Sequence, residues 1–258
     1  MKLNVSFVLF FLCTISLFGQ QKITVEDIYS GAFRAKGMDE LQSMKNTNQY
    51  TVLNFDENTS NAQIDLFDFA TLKKVSTLID TRNQSKLLGG IDSYSFNPTE
   101  NMILIANNTH QIYRHSFTAD YFLYTLETKE LVKILEQVQE PTFSPDGKKI
   151  AYAKENNLFI YDIASKTNSQ ITIDGKKNAI INGITDWVYE EEFTMDNGMR
   201  WSPSGSFLAF YHFDESKVKE FSMDMFNSKA LYPSQTQWKY PKAGEDNAKV
   251  DVHIYSLS

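Results

Sequence analysis

The 258-residue chain is 42% hydrophobic and 14% aromatic with 22% charged residues, enough apolar material for one sizeable core or two small ones, and unlike disordered or collagen-like chains. Lys and Arg number 25 against 32 Asp and Glu, a formal net charge of −7, and no basic run occurs; a nucleic-acid partner held by phosphate neutralisation is therefore not expected.

Residues 1–20 read as a secretory signal: Lys2 precedes an apolar run from Val5 to Phe18, and polar Gln20, Gln21 and Lys22 follow. The run is about 14 residues, short of the roughly 20 that a spanning helix needs, so cleavage near Gly19 to Gln21 and export to the periplasm or beyond are expected. A large residue, Leu17 or Phe18, three positions before the cut leaves an uncleaved, membrane-associated anchor as the alternative. Cys13 is the only cysteine, lies inside this segment and follows Phe11 and Leu12 rather than a lipid-attachment box. The mature chain would hold no disulfide, zinc-thiolate or cysteine nucleophile.

Residues 21–258 contain little helical periodicity beyond short segments at Val25–Ser30 and Met38–Met44. Strand-like runs dominate: Met102–Ala106, Ile150–Ala153, Leu158–Tyr161, Phe207–Tyr211 and Val250–Tyr255, each bounded by Asn, Asp, Gly, Ser or Pro. The chain is all-β. A turn motif recurs before three of these runs, as Phe96-Asn97-Pro98-Thr99-Glu100, Phe143-Ser144-Pro145-Asp146-Gly147 and Trp201-Ser202-Pro203-Ser204-Gly205, with a degenerate copy at Met44–Leu53. Pro fixes φ at the first corner, Asp or Ser bonds locally, and Gly takes the left-handed position. The prolines stand 47 and then 58 residues apart, a period suited to four-stranded β-propeller blades with insertions. In the second copy Pro141–Phe143 ends an inner strand, Ile150–Lys154 and Leu158–Asp162 follow around a turn at Glu155-Asn156-Asn157, and Gln170–Ile173 makes the outer strand. About four blades account for the chain, the last stopping at Val250–Leu257 without an outer strand, so the sequence reads as an incomplete propeller whose open faces favour association, for example as a homodimer.

The four histidines, His110, His115, His212 and His253, show no metal-ligand spacing, so neither a metal nor a cofactor is expected. Chemistry concentrates in Asp186-Trp187-Val188-Tyr189-Glu190-Glu191-Glu192-Phe193. A run of three glutamates is most simply a solvated acidic turn. Two carboxylates converging in a partly buried site would instead repel one another unless a cation, such as a ligand ammonium, joins them through charge-assisted hydrogen bonds. Arg114, in Tyr113-Arg114-His115-Ser116, offers a rigid fork of donors for a carbonyl or carboxylate, although an Arg among aromatics is commonly a surface ion-pair or stacking residue.

Taken together, YRHSFTADYFLYTLETKELV (Tyr113–Val132), INGITDWVYEEEF (Ile181–Phe193), WSPSGSFLAFYHFDESKV (Trp201–Val218) and YPKAGEDNAKVDVHIY (Tyr240–Tyr255) resemble the dipeptidyl peptidase IV family of the prolyl oligopeptidase group of serine peptidases. The resemblance covers essentially all of the chain after the signal. It implies an eight-bladed propeller joined to an α/β-hydrolase domain that releases dipeptides with Pro or Ala second from peptide N-termini. It further implies that Glu191 and Glu192 bind the substrate α-ammonium, that Glu190 is a non-binding neighbour, and that Arg114 contacts a substrate carbonyl. No Gly-x-Ser-x-Gly elbow occurs in these residues, so no catalytic residue is assigned and the hydrolase domain is expected to lie outside them. Two readings remain: the substrate-binding propeller portion of a secreted serine exopeptidase, inactive by itself, or a non-catalytic propeller that binds or interacts.

Overall fold

The computed structural model describes residues 22–35, 37, 41–56, 61–84, 90–226 and 229–257; the signal peptide expected at 1–20, with Cys13, lies outside the described residues. Two compact units are present, Met1–Glu40 and Leu41–Ser258. In the first, helix α1 (Val25–Tyr29) starts at a capping box: the Thr24 hydroxyl accepts from the Asp27 amide at 3.1 Å, and the Asp27 carboxylate accepts from the Thr24 amide at 2.9 Å.

In the second unit every paired strand is antiparallel to its neighbour. Strands β1 (Leu41–Ser43), β2 (Gln49–Asp56), β3 (Asn61–Asp68) and β4 (Lys74–Asp80) pair in chain order as the first blade. The helix expected at Met38–Met44 is, over its described residues 41–43, strand β1, whose short length and pairing with β2 override local helical periodicity. A seven-stranded sheet follows, again in chain order: β5 (Ser93–Phe96), β6 (Met102–Gln111), β7 (Phe117–Thr125), β8 (Glu130–Phe143), β9 (Lys149–Lys154), β10 (Asn157–Asp162) and β11 (Thr167–Gln170). It is two blades sharing β8, which pairs β7 through residues 130–138 and β9 through residues 139–143. Between the two halves the strand bends at Gln137 (φ 49) and Glu140 (φ 52), and the Gln137 amide finds the buried Asp120 carboxylate at 3.1 Å. The outer strand expected at Gln170–Ile173 lies earlier, as β11, because the turn after β10 closes on Asp162, which accepts from the Ser165 amide at 2.9 Å.

The fourth blade centres on β14 (Phe207–Asp214). Strands β12 (Ile180–Asn182) and β13 (Met199–Trp201) lie end to end along one edge, and β17 (Lys249–Ser256) pairs the other edge over its whole length. A hairpin of β15 (Glu220–Met225) and β16 (Ser234–Lys239) arises between β14 and β17.

The recurrent turn has one construction in all three copies. The residue before proline sends its side-chain oxygen to the first amide of the next strand: Asn97 to Met102 at 3.0 Å, Ser144 to Lys149 at 2.9 Å and Ser202 to Phe207 at 3.1 Å. Gly147 and Gly205 take the left-handed corner (φ 69 and 71), and Glu100 occupies it in the first copy (φ 56).

Strand alternation builds a core at each seam. On β6, Ile103 and Ile105 join Ile64 and Ile79 of the first blade, whereas Leu104 and Ala106 join Ile150 and Tyr152 of the third. On β9, Ala151 and Ala153 turn the other way, to Leu208 and Phe210 of β14.

Candidate functional site

Between β12 and β13 the edge strand is interrupted by residues 183–198, which carry helix α2 (Trp187–Phe193). The base of this excursion is pinched shut. The Gly183 amide donates to Tyr211 at 3.0 Å, Tyr211 donates back to Gly198 at 2.8 Å, and Gly198 donates to Gly183 at 3.0 Å. Gly183 sits at φ 77, and a Cβ there would stand 2.6 Å from the Leu158 Cδ1 atom, so backbone conformation and packing both require glycine. Asp186 caps α2 by accepting the Tyr189 amide at 2.9 Å, and Thr194 ends it in the left-handed conformation (φ 53). Its aromatic face is anchored twice, Tyr189 edge-on to Phe213 at 4.9 Å and Trp187 against Tyr240 at 4.7 Å.

At roughly 100° per residue on a helix, three consecutive glutamates cannot share an environment. Glu190 points inward, 1% exposed, and its Oε1 accepts the amides of His115 at 2.7 Å and Ser116 at 2.8 Å. These amides belong to the turn between β6 and β7, so Glu190 fastens the Arg114 loop to α2. Glu191 meets Arg114 twice, through Arg114 Nε to Oε2 at 3.1 Å and the Arg114 amide to Oε1 at 3.3 Å. The Arg114 side chain is 72% exposed and that of Glu191 only 13%, leaving the guanidinium open to solvent above a sheltered carboxylate. Glu192 is exposed, with no hydrogen bond or ion pair among the described residues. Glu191 and Glu192 also lie in the last turn of α2, beside its carbonyl end, where negative charge is disfavoured by about 0.3–1 kcal/mol per group.

A cavity of about 480 Å³ lies against the other side of α2, lined in part by Tyr113, Ser116, Asp186, Trp187, Glu190 and Glu215, but not by Arg114, Glu191 or Glu192. Through Tyr113 and Glu190 the cavity reaches the immediate chain neighbours of Arg114 and Glu191. Burial, with Asp186 nearby, raises the Glu215 carboxyl to about 7, and burial with Glu215, Glu190 and Asp186 raises the Tyr113 phenol to about 12.

Of the residues singled out from sequence, Arg114 and Glu191 are in contact and Glu192 follows on the same helix. The Glu190 staple and the glycine pinch were not read from the sequence: the first depends on a contact about 75 residues distant along the chain, the second on strand pairing. Nor do the histidines stand at helical ligand spacing, yet the pairing of β14 with β17 brings His212, Asp251 and His253 together, with ligand atoms within 4.8 Å of one another.

Residues 97–258 match the family described as dipeptidyl peptidase IV (DPP IV) N-terminal region, and the chain belongs to this family. Dipeptidyl peptidase 4 of Felis catus is 37% identical over 169 residues, 64% of this chain and 22% of the relative. Dipeptidyl aminopeptidase B of Saccharomyces cerevisiae is 37% identical over 171 residues, 65% of this chain and 21% of the relative. The crystal structure of Porphyromonas gingivalis dipeptidyl peptidase 4 superposes with a TM-score of 0.84 at 36% identity, covering 93% of this chain and 34% of that one. The chain therefore spans about a fifth to a third of the length of these relatives, in their N-terminal region, and its blades are those of a propeller. Among the described residues no helix is long and apolar enough to cross a membrane.

Proposed function

We propose that this chain is the N-terminus-recognising propeller portion of an exported serine exopeptidase that releases Xaa-Pro and Xaa-Ala dipeptides, with Glu191 and Glu192 binding the substrate α-ammonium and Arg114 a backbone carbonyl. The observation that carries the reading is the Arg114–Glu191 pair at 3.1 Å with Glu192 left open on the same helix. Two carboxylates and one guanidinium sum to a single negative charge, which one ammonium neutralises. The carbonyl end of α2 adds to the preference for a cation. Glu191 keeps part of its acceptor capacity after pairing with Arg114, and an ammonium has three donors to share between two carboxylates. A peptide extended beyond its N-terminus would bring no cation and would collide with the excursion that bears α2, which is why such a site selects free N-termini. The nucleophile and its base belong to a hydrolase domain outside these residues, and peptides rather than nucleic acids are the partners.

The test uses the enzyme that contains this region, with a Gly-Pro chromogenic substrate. Glu192→Gln is expected to cut kcat/KM by about 30-fold or more, the equivalent of roughly 2 kcal/mol, for losing a charge-assisted contact that the bound peptide itself covers from solvent. Unchanged turnover of Gly-Pro substrate by that variant refutes the assignment.

A further inference from the structure

Away from α2, strands β14 and β17 run side by side with His212 opposite Asp251 and Phe210 opposite His253. Residues paired across antiparallel strands share a face, as do residues two apart along one strand, so His212, Asp251 and His253 project to the same side. Their ligand atoms all lie within 4.8 Å of one another, and the two imidazole rings are stacked at 4.9 Å with planes 7° apart. His212 has its Nε2 3.2 Å from an Asp174 carboxylate oxygen, and the other oxygen of Asp174 accepts from the Asn182 amide group at 2.9 Å. The second ring nitrogen of His212, Nδ1, is buried and has no hydrogen-bond partner. One nitrogen held by a fixed carboxylate and the other left unsatisfied is the division that a metal-bound histidine adopts.

We propose that His212, Asp251 and His253 bind a divalent transition-metal ion of the zinc class, with Asp174 orienting His212 from the outer shell. Two imidazoles and one carboxylate suit Zn²⁺, whereas Ca²⁺ and Mg²⁺ require sets of oxygens. Tetrahedral zinc with bonds of about 2.0 Å needs its ligand atoms about 3.3 Å apart, so the group must close up. Asp251 and His253 are both exposed on β17 and can do so by side-chain rotation. A water completes the fourth position. Asp174 follows β11 of the third blade, while the three ligands stand on the fourth, so the ion would tie two blades together at their seam. This inference is independent of the role assigned to α2.

The experiment is calorimetric titration of Zn²⁺ into the untagged, chelator-treated full chain, with thermal melts and Co²⁺ absorption alongside. One Zn²⁺ per chain is expected, together with a higher Tm, no competition from Mg²⁺ or Ca²⁺, and the intense visible bands of tetrahedral Co²⁺. His253→Ala and, separately, Asp251→Asn should abolish stoichiometric binding while leaving the Tm of the metal-free chain in place, because both side chains are exposed. Asp174→Asn should retain the stoichiometry and weaken affinity about 10- to 100-fold. Absence of stoichiometric Zn²⁺ binding by the native chain, or binding that survives in both His253→Ala and Asp251→Asn, overturns the proposal.

Discussion

Removing the Glu190 carboxylate would leave two amides, those of His115 and Ser116, facing a gap where Oε1 had accepted both. An unmade hydrogen bond at a buried donor costs about 1–3 kcal/mol, and Ser116 is buried, so Glu190→Ala is expected to destabilise the chain by about 2–4 kcal/mol in a denaturant melt. Glu190→Gln keeps an acceptor oxygen in place and should cost about half as much; equal losses in the two variants would show that packing, not the amide bonds, sets the effect. The Arg114–Glu191 pair should contribute under about 1 kcal/mol to stability, because its guanidinium is mostly in solvent. Composition and local pattern favoured a solvated acidic turn over a cation site for the run Glu190–Glu192, and it was the family resemblance that separated the roles. The physical reason for that separation, one glutamate turned inward to hold the loop that carries Arg114, depends on a contact between β6–β7 and α2 that no local pattern encodes.

The excursion that holds α2 can stand out from a blade edge only because its two ends return to the same point of β14. Gly183 makes that possible, and Gly183→Ala would combine a left-handed backbone with a Cβ 2.6 Å from Leu158 Cδ1. The expected cost is about 2–3 kcal/mol, and in an active enzyme KM for dipeptidyl substrates should rise as α2 shifts. Stability and KM at native values in this variant would mean that the pinch does not hold the helix. At this scale the sequence was largely readable. The Pro turns marked where β6, β9 and β14 begin, since each turn closes through a side chain one residue before its proline and five before the strand it starts. The turn expected at Glu155-Asn156-Asn157 is a two-residue hairpin of Glu155 and Asn156, both at positive φ, with Asn157 already in β10 and paired to Lys154. What was misplaced or missed were elements defined by partners rather than composition: β11, exposed along its whole length and lying three residues earlier than expected, and β1, three residues that exist only through pairing with β2.

Across the whole molecule, the blades stack through apolar seams, and a few carboxylates are caught between them. Burial, reinforced by Asp196 and opposed by the Asn197 amide, raises Glu140 at the bend of β8 to about 7; burial and Asp186 do the same to Glu215. Both groups are ordinary glutamates in the unfolded chain, titrating near 4.5. Between pH 4.5 and about 7 the folded state therefore holds more protons than the unfolded state, and stability must fall as pH rises through that window. Asp80 acts in the opposite sense: the Arg82 guanidinium holds its carboxyl down to about 2, so its contribution is present above its ordinary value of 3.8 and is lost as pH falls toward 2. The two slopes meet near pH 4, between the ordinary aspartate and glutamate values, where the Tm should be highest. With screening allowed for, Glu140 and Glu215 should each account for on the order of 1 kcal/mol between pH 5 and 8, together about 4–8 °C in Tm for a chain of this size. Glu140→Gln combined with Glu215→Gln removes both ionisations, so melts of the double variant should lose most of that decline. A decline between pH 5 and 8 as steep as that of the native chain would place the destabilising charge elsewhere in the seams.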